Sequence, residues 1–123
     1  METTLQLPTA LHEAARALGQ AIHADDYVSA YLEARARADA DTSATELEQR
    51  LSHLYEDLLA RQQTGEMLSQ EQRTAFYTLR RQAQTQPSLV ARDEALAQLK
   101  PVLADLAGEI SAVLEVDYTA LAR

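Results

Sequence analysis

SLVARDEALAQLKPVLADLAGEISAVLE, residues 88–115, is the stretch that decides the fold. Within it Leu96, Leu99, Leu103, Leu106, Ile110 and Val113 recur at intervals of 3-4-3-4-3. That rhythm draws one narrow apolar stripe along a helix, the pattern of a coiled-coil seam. A helix so patterned has to bury its stripe against another helix, of its own chain or of a second. At 1.5 Å per residue the stretch makes a rod of about 40 Å. Pro101 lies inside it. A proline there removes one backbone hydrogen bond and crowds the preceding turn, so the reading is a bend near Ala97–Pro101 or two helices meeting there.

Upstream, Gln86-Pro87-Ser88 is a break, because Pro87 disfavours helical geometry at Gln86. Ser88 is the expected cap of the last helix. A second heptad-like stripe, Leu47, Leu51, Leu54 and Leu58, is widened by Tyr55 and Leu59. Ser43-Ala44-Thr45-Glu46 matches the capping box that would open this helix, and Asp39–Thr42 reads as the connection before it, with helix as the alternative. Gly65 is the expected stop. Ser69-Gln70-Glu71-Gln72 offers another box, and Phe76, Leu79 and Ala83 mark the buried face of the helix that follows. The Leu47–Leu58 stripe is the expected partner of the Leu96–Val113 stripe, as a hairpin seam, a dimer seam, or both.

The N-terminal third reads as two short helices. Leu11, Ala15, Leu18 and Ile22 fall on one helical face, with Thr9 as the expected N-cap. Asp25 or Asp26 caps the next segment, where a carboxylate also suits the positive end of the helix dipole. Its stripe is Tyr27, Tyr31, Ala34 and Ala38. Residues 1–8 are expected to form a flexible arm, residues 9–115 a single helical domain and residues 116–123 a tail, with Tyr118 and Leu121 giving one last docked turn.

Composition agrees. In 123 residues there are 3 Gly and 3 Pro, so few places where a helix must stop. Good helix formers dominate, and no alternating β-branched run marks a strand. The chain is read as all-α. With one Phe and no Trp its core is thin, so further burial through oligomerisation is expected. The net charge of -8, with Lys100 as the only lysine, disfavours direct nucleic-acid binding. Arg73, Arg80 and Arg81 make a small basic spot diluted by Glu71. The absence of cysteine excludes disulfides, thiolate nucleophiles and Cys-ligated zinc or iron–sulfur clusters. The N-terminus lacks a basic region followed by an apolar core, and no apolar run approaches the ~20 residues that span a bilayer. A cytoplasmic location without membrane attachment is the expectation.

The run Ala14…Leu18-Gly19-Gln20-Ala21-Ile22, then Asp26-Tyr27, Tyr31 and Ala34, resembles the opening of the YlbF/YmcA-like proteins. Gln62-Gln63-Thr64-Gly65, Gln86-Pro87 with Val90, and the heptad helix closing with Ile110 fit the later parts, so the resemblance covers residues 10–115. It implies an all-helical protein built on a long helical hairpin with short N-terminal helices, forming an open bundle as a dimer. It implies no enzyme activity. The best-studied members are bacterial regulators in complexes that affect competence, biofilm formation and sporulation and that modulate an endoribonuclease. Some hold an iron–sulfur cluster on cysteines, which this chain does not have, so no cofactor is carried over.

No residue pattern marks a catalytic site. His12 and His23 are eleven residues apart, about 16 Å along a helix and too far for one metal ion. His53 precedes Glu56 and Asp57 on one face, the reverse of the Glu-x-x-His order of di-metal bundles; a solvated acidic face is the simpler reading, and no metal is assigned. Ser69 and Ser88 read as caps rather than nucleophiles. Tyr27 and Tyr31 stack on one face, as core packing or as an anchor for a protein partner. The function expected is that of a dimeric regulator or adaptor acting by docking, on other regulatory proteins or a ribonuclease complex. A structural or chaperone-like coiled-coil module, and then a carboxylate-rich metal-binding bundle, are the other readings.

Overall fold

The structure is a computed structural model that describes residues 7–122. Most of the expected N-terminal arm therefore lies outside the described residues. Six helices make up the rest: α1 (Thr9–His23), α2 (Asp26–Ala40), α3 (Thr42–Gln63), α4 (Gln70–Thr85), α5 (Pro87–Leu114) and α6 (Tyr118–Leu121). The described residues contain no strand, and the chain is all-α as its composition implies.

Local chemistry sets each boundary. Asp25 caps α2, one carboxylate oxygen accepting from the amides of Tyr27 at 2.9 Å and Val28 at 3.3 Å. The capping box at α4 forms: Ser69 Oγ accepts from the Gln72 amide at 3.1 Å, and Gln72 Oε1 accepts from the Ser69 amide at 2.8 Å. α3 ends in a Schellman motif, with the Gly65 amide on Gln62 O and the Glu66 amide on Arg61 O, both at 3.0 Å. The turn requires φ of 86° at Gly65, which a residue without Cβ adopts freely. At the far end the Tyr118 amide donates to Ser111 Oγ at 2.9 Å, so the tail folds back on α5 for one short turn.

Three expected caps move. Thr9 is the first residue of α1, and the N-cap position belongs to Pro8. The box at Ser43–Glu46 does not form, because Asp41 starts α3 two residues earlier: its Oδ1 accepts from the amides of Ser43 at 3.1 Å and Ala44 at 3.3 Å. The connection shrinks accordingly from four residues to Asp41 alone. Ser88 lies inside α5, whose cap is Gln86. Pro87 has no amide hydrogen to leave open at the first helical position, and Gln86 Oε1 accepts from the Leu89 amide at 2.9 Å. Pro101 does not divide α5. It and Ala97, whose carbonyl it orphans, are both exposed, so water can satisfy the freed group.

The breaks at Asp41 and Gln86 lie side by side. Asp41 Oδ2 accepts from Gln86 Nε2 at 2.8 Å and from Ser88 Oγ at 2.6 Å. One carboxylate thus caps α3 and ties the start of α5 to the end of α2. From this node the helices run off in two antiparallel pairs, α2 with α5 and α3 with α4. The whole is one long hairpin with limbs α2–α3 and α4–α5, each broken once, and its tip at residues 64–69. This corrects the expected pairing of the two leucine stripes. Within one chain the Leu47–Leu58 stripe faces α4, and the Leu96–Leu106 part of the α5 stripe faces α2, with Val113 left exposed beyond it. The node dictates that register, because segments equally far from it on the two limbs must meet.

Small residues let the limbs close around the node. Ala38, Ala44 and Leu89 form the most buried cluster, with Ala83 packed against it. Elsewhere burial is sparse. Among the described residues only Val28, Ala34, Leu58 and Leu99 join them below a tenth exposure. Arg92 adds a strap from α5 to α3, its guanidinium 3.0 Å from Glu48. α1 lies against α2 and leaves Leu11 and Leu18 exposed.

The Asp41 carboxyl is held below the ordinary value of 3.8, first by the Ser88 hydroxyl, then by the Gln86 amide and the Ala44 backbone. A depressed folded-state value means its contribution is present above that ordinary value and is lost as pH falls through the folded one. Thermal melts at descending pH should therefore show wild type losing stability below about pH 4. Asp41→Asn, less stable at neutral pH, should lose less on acidification; parallel curves for the two proteins would contradict the node's role.

Candidate functional site

The described residues bring no group of three or more His, Asp or Glu to a point that suits a metal ion. His12, His23 and His53 are exposed, and Asp57, one turn beyond His53, is engaged by Arg61 Nε at 3.1 Å. What the fold does build is surface.

The main feature is a groove between α3 and α4. Near the tip Tyr55, Leu58, Leu59, Phe76 and Tyr77 line a cavity of about 250 Å³. The depression continues past Leu51 and Ser52 to Glu48, Arg80 and Ala83, beside the start of α5. From Gln62 back to Glu48 it follows α3 for about 20 Å. Its floor is aromatic and aliphatic. The Tyr55 and Phe76 rings are 6.2 Å apart and tilted by 38°, and Phe76 meets Tyr77 edge-on at 5.8 Å. Such packing holds rings in place while leaving faces available, and Tyr55 and Tyr77 remain 54% and 56% exposed.

The rim on the α4 side is basic. Helix α4 carries three arginines and one acid in a chain of net charge -8. Arg73, Tyr77 and Arg80 fall on one face at i, i+4 and i+7. Arg73 Nη1 donates to Leu68 O at 3.1 Å, which fixes the guanidinium at the groove's end. No carboxylate lies within 4.0 Å of Arg73, Arg80 or Arg81 among the described residues. The acids at the groove's inner end, Glu48 and Asp93, are both engaged by Arg92, whose charged form they stabilise, Glu48 the more.

The residues singled out in the sequence scatter. Of the ten in the two stripes, Leu58 and Leu99 are buried, Leu47, Leu51, Leu54, Leu96, Leu106 and Ile110 are half-buried, and Leu103 and Val113 are exposed, Val113 at 84%. Tyr27 and Tyr31 lie on α2, Tyr27 exposed and Tyr31 half-buried, away from the groove. The groove itself escaped sequence reading. Arg73, Phe76, Tyr77 and Arg80 share the i, i+3, i+4, i+7 spacing that would have marked it, but the partner face on α3 is identified only by the pairing register.

A cavity of this size is below the ~300–1,000 Å³ typical of small-molecule pockets, and its length and shape suit a helix instead. Leu58→Ala at the floor should cost about 2–4 kcal/mol in urea unfolding, whereas Tyr77→Ala on the rim should stay within about 0.5 kcal/mol. Equal losses would mean that Tyr77 belongs to the core and not to a free surface.

No helix among the described residues is long and apolar enough to cross a membrane. Searches of curated proteins and of solved structures returned no match. The model of a regulatory family, described as control of competence regulator ComK, YlbF/YmcA, matches residues 11–115. That span runs from the first turn of α1 to the end of α5 and takes in both limbs, the node and the groove, and the chain belongs to the YlbF/YmcA family.

Proposed function

We propose that this protein is a non-enzymatic, dimeric helical regulator of the cytoplasm that acts by docking other proteins on its helical surfaces. The observation that carries the reading is area. The chain exposes 9740 Å², against about 6,600 Å² for a compact monomer of its mass. The exposed large apolar residues include Leu7, Leu11, Leu18 and Tyr27 on the α1–α2 side, Val113, Leu114, Val116 and Leu121 at the end of α5, and Tyr55, Leu59 and Tyr77 at the tip. An excess of this kind is what a protein shows when its partners supply part of its core. A standard interface takes about 800 Å² from each partner, so the excess accommodates a second copy and leaves surface for another protein.

Membership of a regulatory family supports protein partners rather than substrates. The partners follow from that membership and the resemblance: other regulatory proteins, or a ribonuclease complex reached through protein contacts. Tyr27, exposed beside the start of α2, is a natural anchor, with Tyr31 one turn on supporting it. Within the dimer the Leu103–Val113 part of the α5 stripe supplies self-contact.

Leu103→Asp combined with Leu106→Asp should abolish the dimer and much of the helicity, read by light scattering and circular dichroism. Val113→Asp separates the two effects. At an 84% exposed position it should leave monomer helicity unchanged and weaken association. A monomeric wild type would refute the dimer. Affinity purification from the native cell, with nuclease treatment, tests the docking role; a chain that retains no stoichiometric protein partner refutes it.

A further inference from the structure

We propose that the groove between α3 and α4 of one copy holds the α5 end of a second copy, so that two hairpins pair antiparallel, tip against base. The inference rests on the dimer reading above and assigns its surfaces.

The groove needs an apolar, acidic helical occupant. Its floor is Tyr55, Leu58 and Phe76, and its α4 rim presents Arg73 and Arg80 about 10 Å apart with no carboxylate partner. The chain itself carries such an occupant. Residues 101–122 contain Asp105, Glu109, Glu115 and Asp117 and no Lys or Arg. The same stretch exposes Val113 at 84%, Leu114 at 50% and Val116 at 48%. Uncovered apolar surface and carboxylates occur together on the end of α5, and apolar surface and arginines on the α4 side of the groove.

Placement favours a closed pair. The groove and the α5 end lie on opposite sides of the Asp41 node, one on the α3–α4 half of the hairpin and the other on the α2–α5 half. A two-fold axis about 10 Å from the node on the α2–α5 side brings each groove to the other α5 end, and both contacts form at once. Such an isologous arrangement closes on itself instead of growing into a filament. Pairing base to base would bury apolar area too, but it sets four carboxylates against four with no intervening cation on α5 beyond Lys100. Like charges facing each other oppose association. Single-stranded nucleic acid would find the arginines and the aromatic floor, yet it would meet a chain of net charge -8.

The absence of cysteine allows a clean test. Ser52→Cys in the groove and Ala112→Cys on α5 are introduced together and singly, and each protein is treated with a short bis-maleimide at its dimeric concentration. The doubly substituted chain should give a covalent dimer on denaturing gels, and neither single variant should. Light scattering on the untreated protein gives the oligomeric state independently. Arg73→Glu with Arg80→Glu should weaken the dimer about tenfold or more in sedimentation, and adding Asp105→Arg with Glu109→Arg to the same chain should restore it. A dimer that cross-links through Ala112→Cys alone, or that ignores the arginine reversals, overturns the tip-to-base pairing while the dimer stands. A monomer overturns both. Displacement of the dimer by a single-stranded RNA oligonucleotide would overturn the assignment of the groove to protein.

Discussion

Everything in this hairpin is referenced to one carboxylate. Asp41 is the sole residue between α2 and α3, and its two oxygens do different work. One closes the open amides of α3, as N-cap acids do. The other gathers the Gln86 amide and the Ser88 hydroxyl from a segment more than forty residues away. Gln86 in turn caps α5. Two helix starts and one long-range tether therefore share a single hydrogen-bonded cluster, and Ala38, Ala44 and Leu89 around it are the best buried of the described residues. Each bond is modest alone. Their effect is to make the breaks in the two limbs coincide, and the remaining contacts follow from that coincidence.

The sequence carried the helices more clearly than their pairing. Heptad spacing, the Ser69 box, Gly65 and Pro87 locate elements because each acts within a turn or two of backbone. The register between limbs is a long-range property. Leu47–Leu58 and Leu96–Val113 look alike as stripes, and nothing within either says which helix it meets. The decisive residue, Asp41, sits in a run of Asp39-Ala40-Asp41-Thr42 where several side chains qualify as caps. Only the geometry of Gln86 and Ser88 picks out Asp41. Ser88 shows the same ambiguity from the other side: a hydroxyl beside a proline looks like a cap, but here it serves as a donor to a different helix. The groove was hidden for the same reason, since half of it comes from each limb.

Packing explains where the fold leaves apolar surface uncovered. Alanines at the node bring the limbs close, so backbone meets backbone and little apolar area is removed from water per residue. Farther out the side chains grow larger, the floor of the groove is reached, and the rings of Tyr55 and Tyr77 stay half in solvent. The base is similar, with α1 set against α2 by one edge and the α5 stripe running beyond the end of its cover. Close-packed where its side chains are small and under-covered where they are large, the hairpin is tight at its waist and open at its ends.

The broken limbs also constrain how such a chain can change length. Because pairing is measured outward from Asp41 and Gln86, a residue inserted in α3 turns everything beyond it by about 100° and shifts it by about 1.5 Å relative to α4. The mismatch disappears only if α4 acquires a residue at the matching distance from the node. Insertions into the turn around residues 64–69 disturb neither limb. Relatives of this hairpin should therefore differ in length by paired changes on facing limbs, or at the tip, while the spacing of each break from its own buried neighbours stays constant.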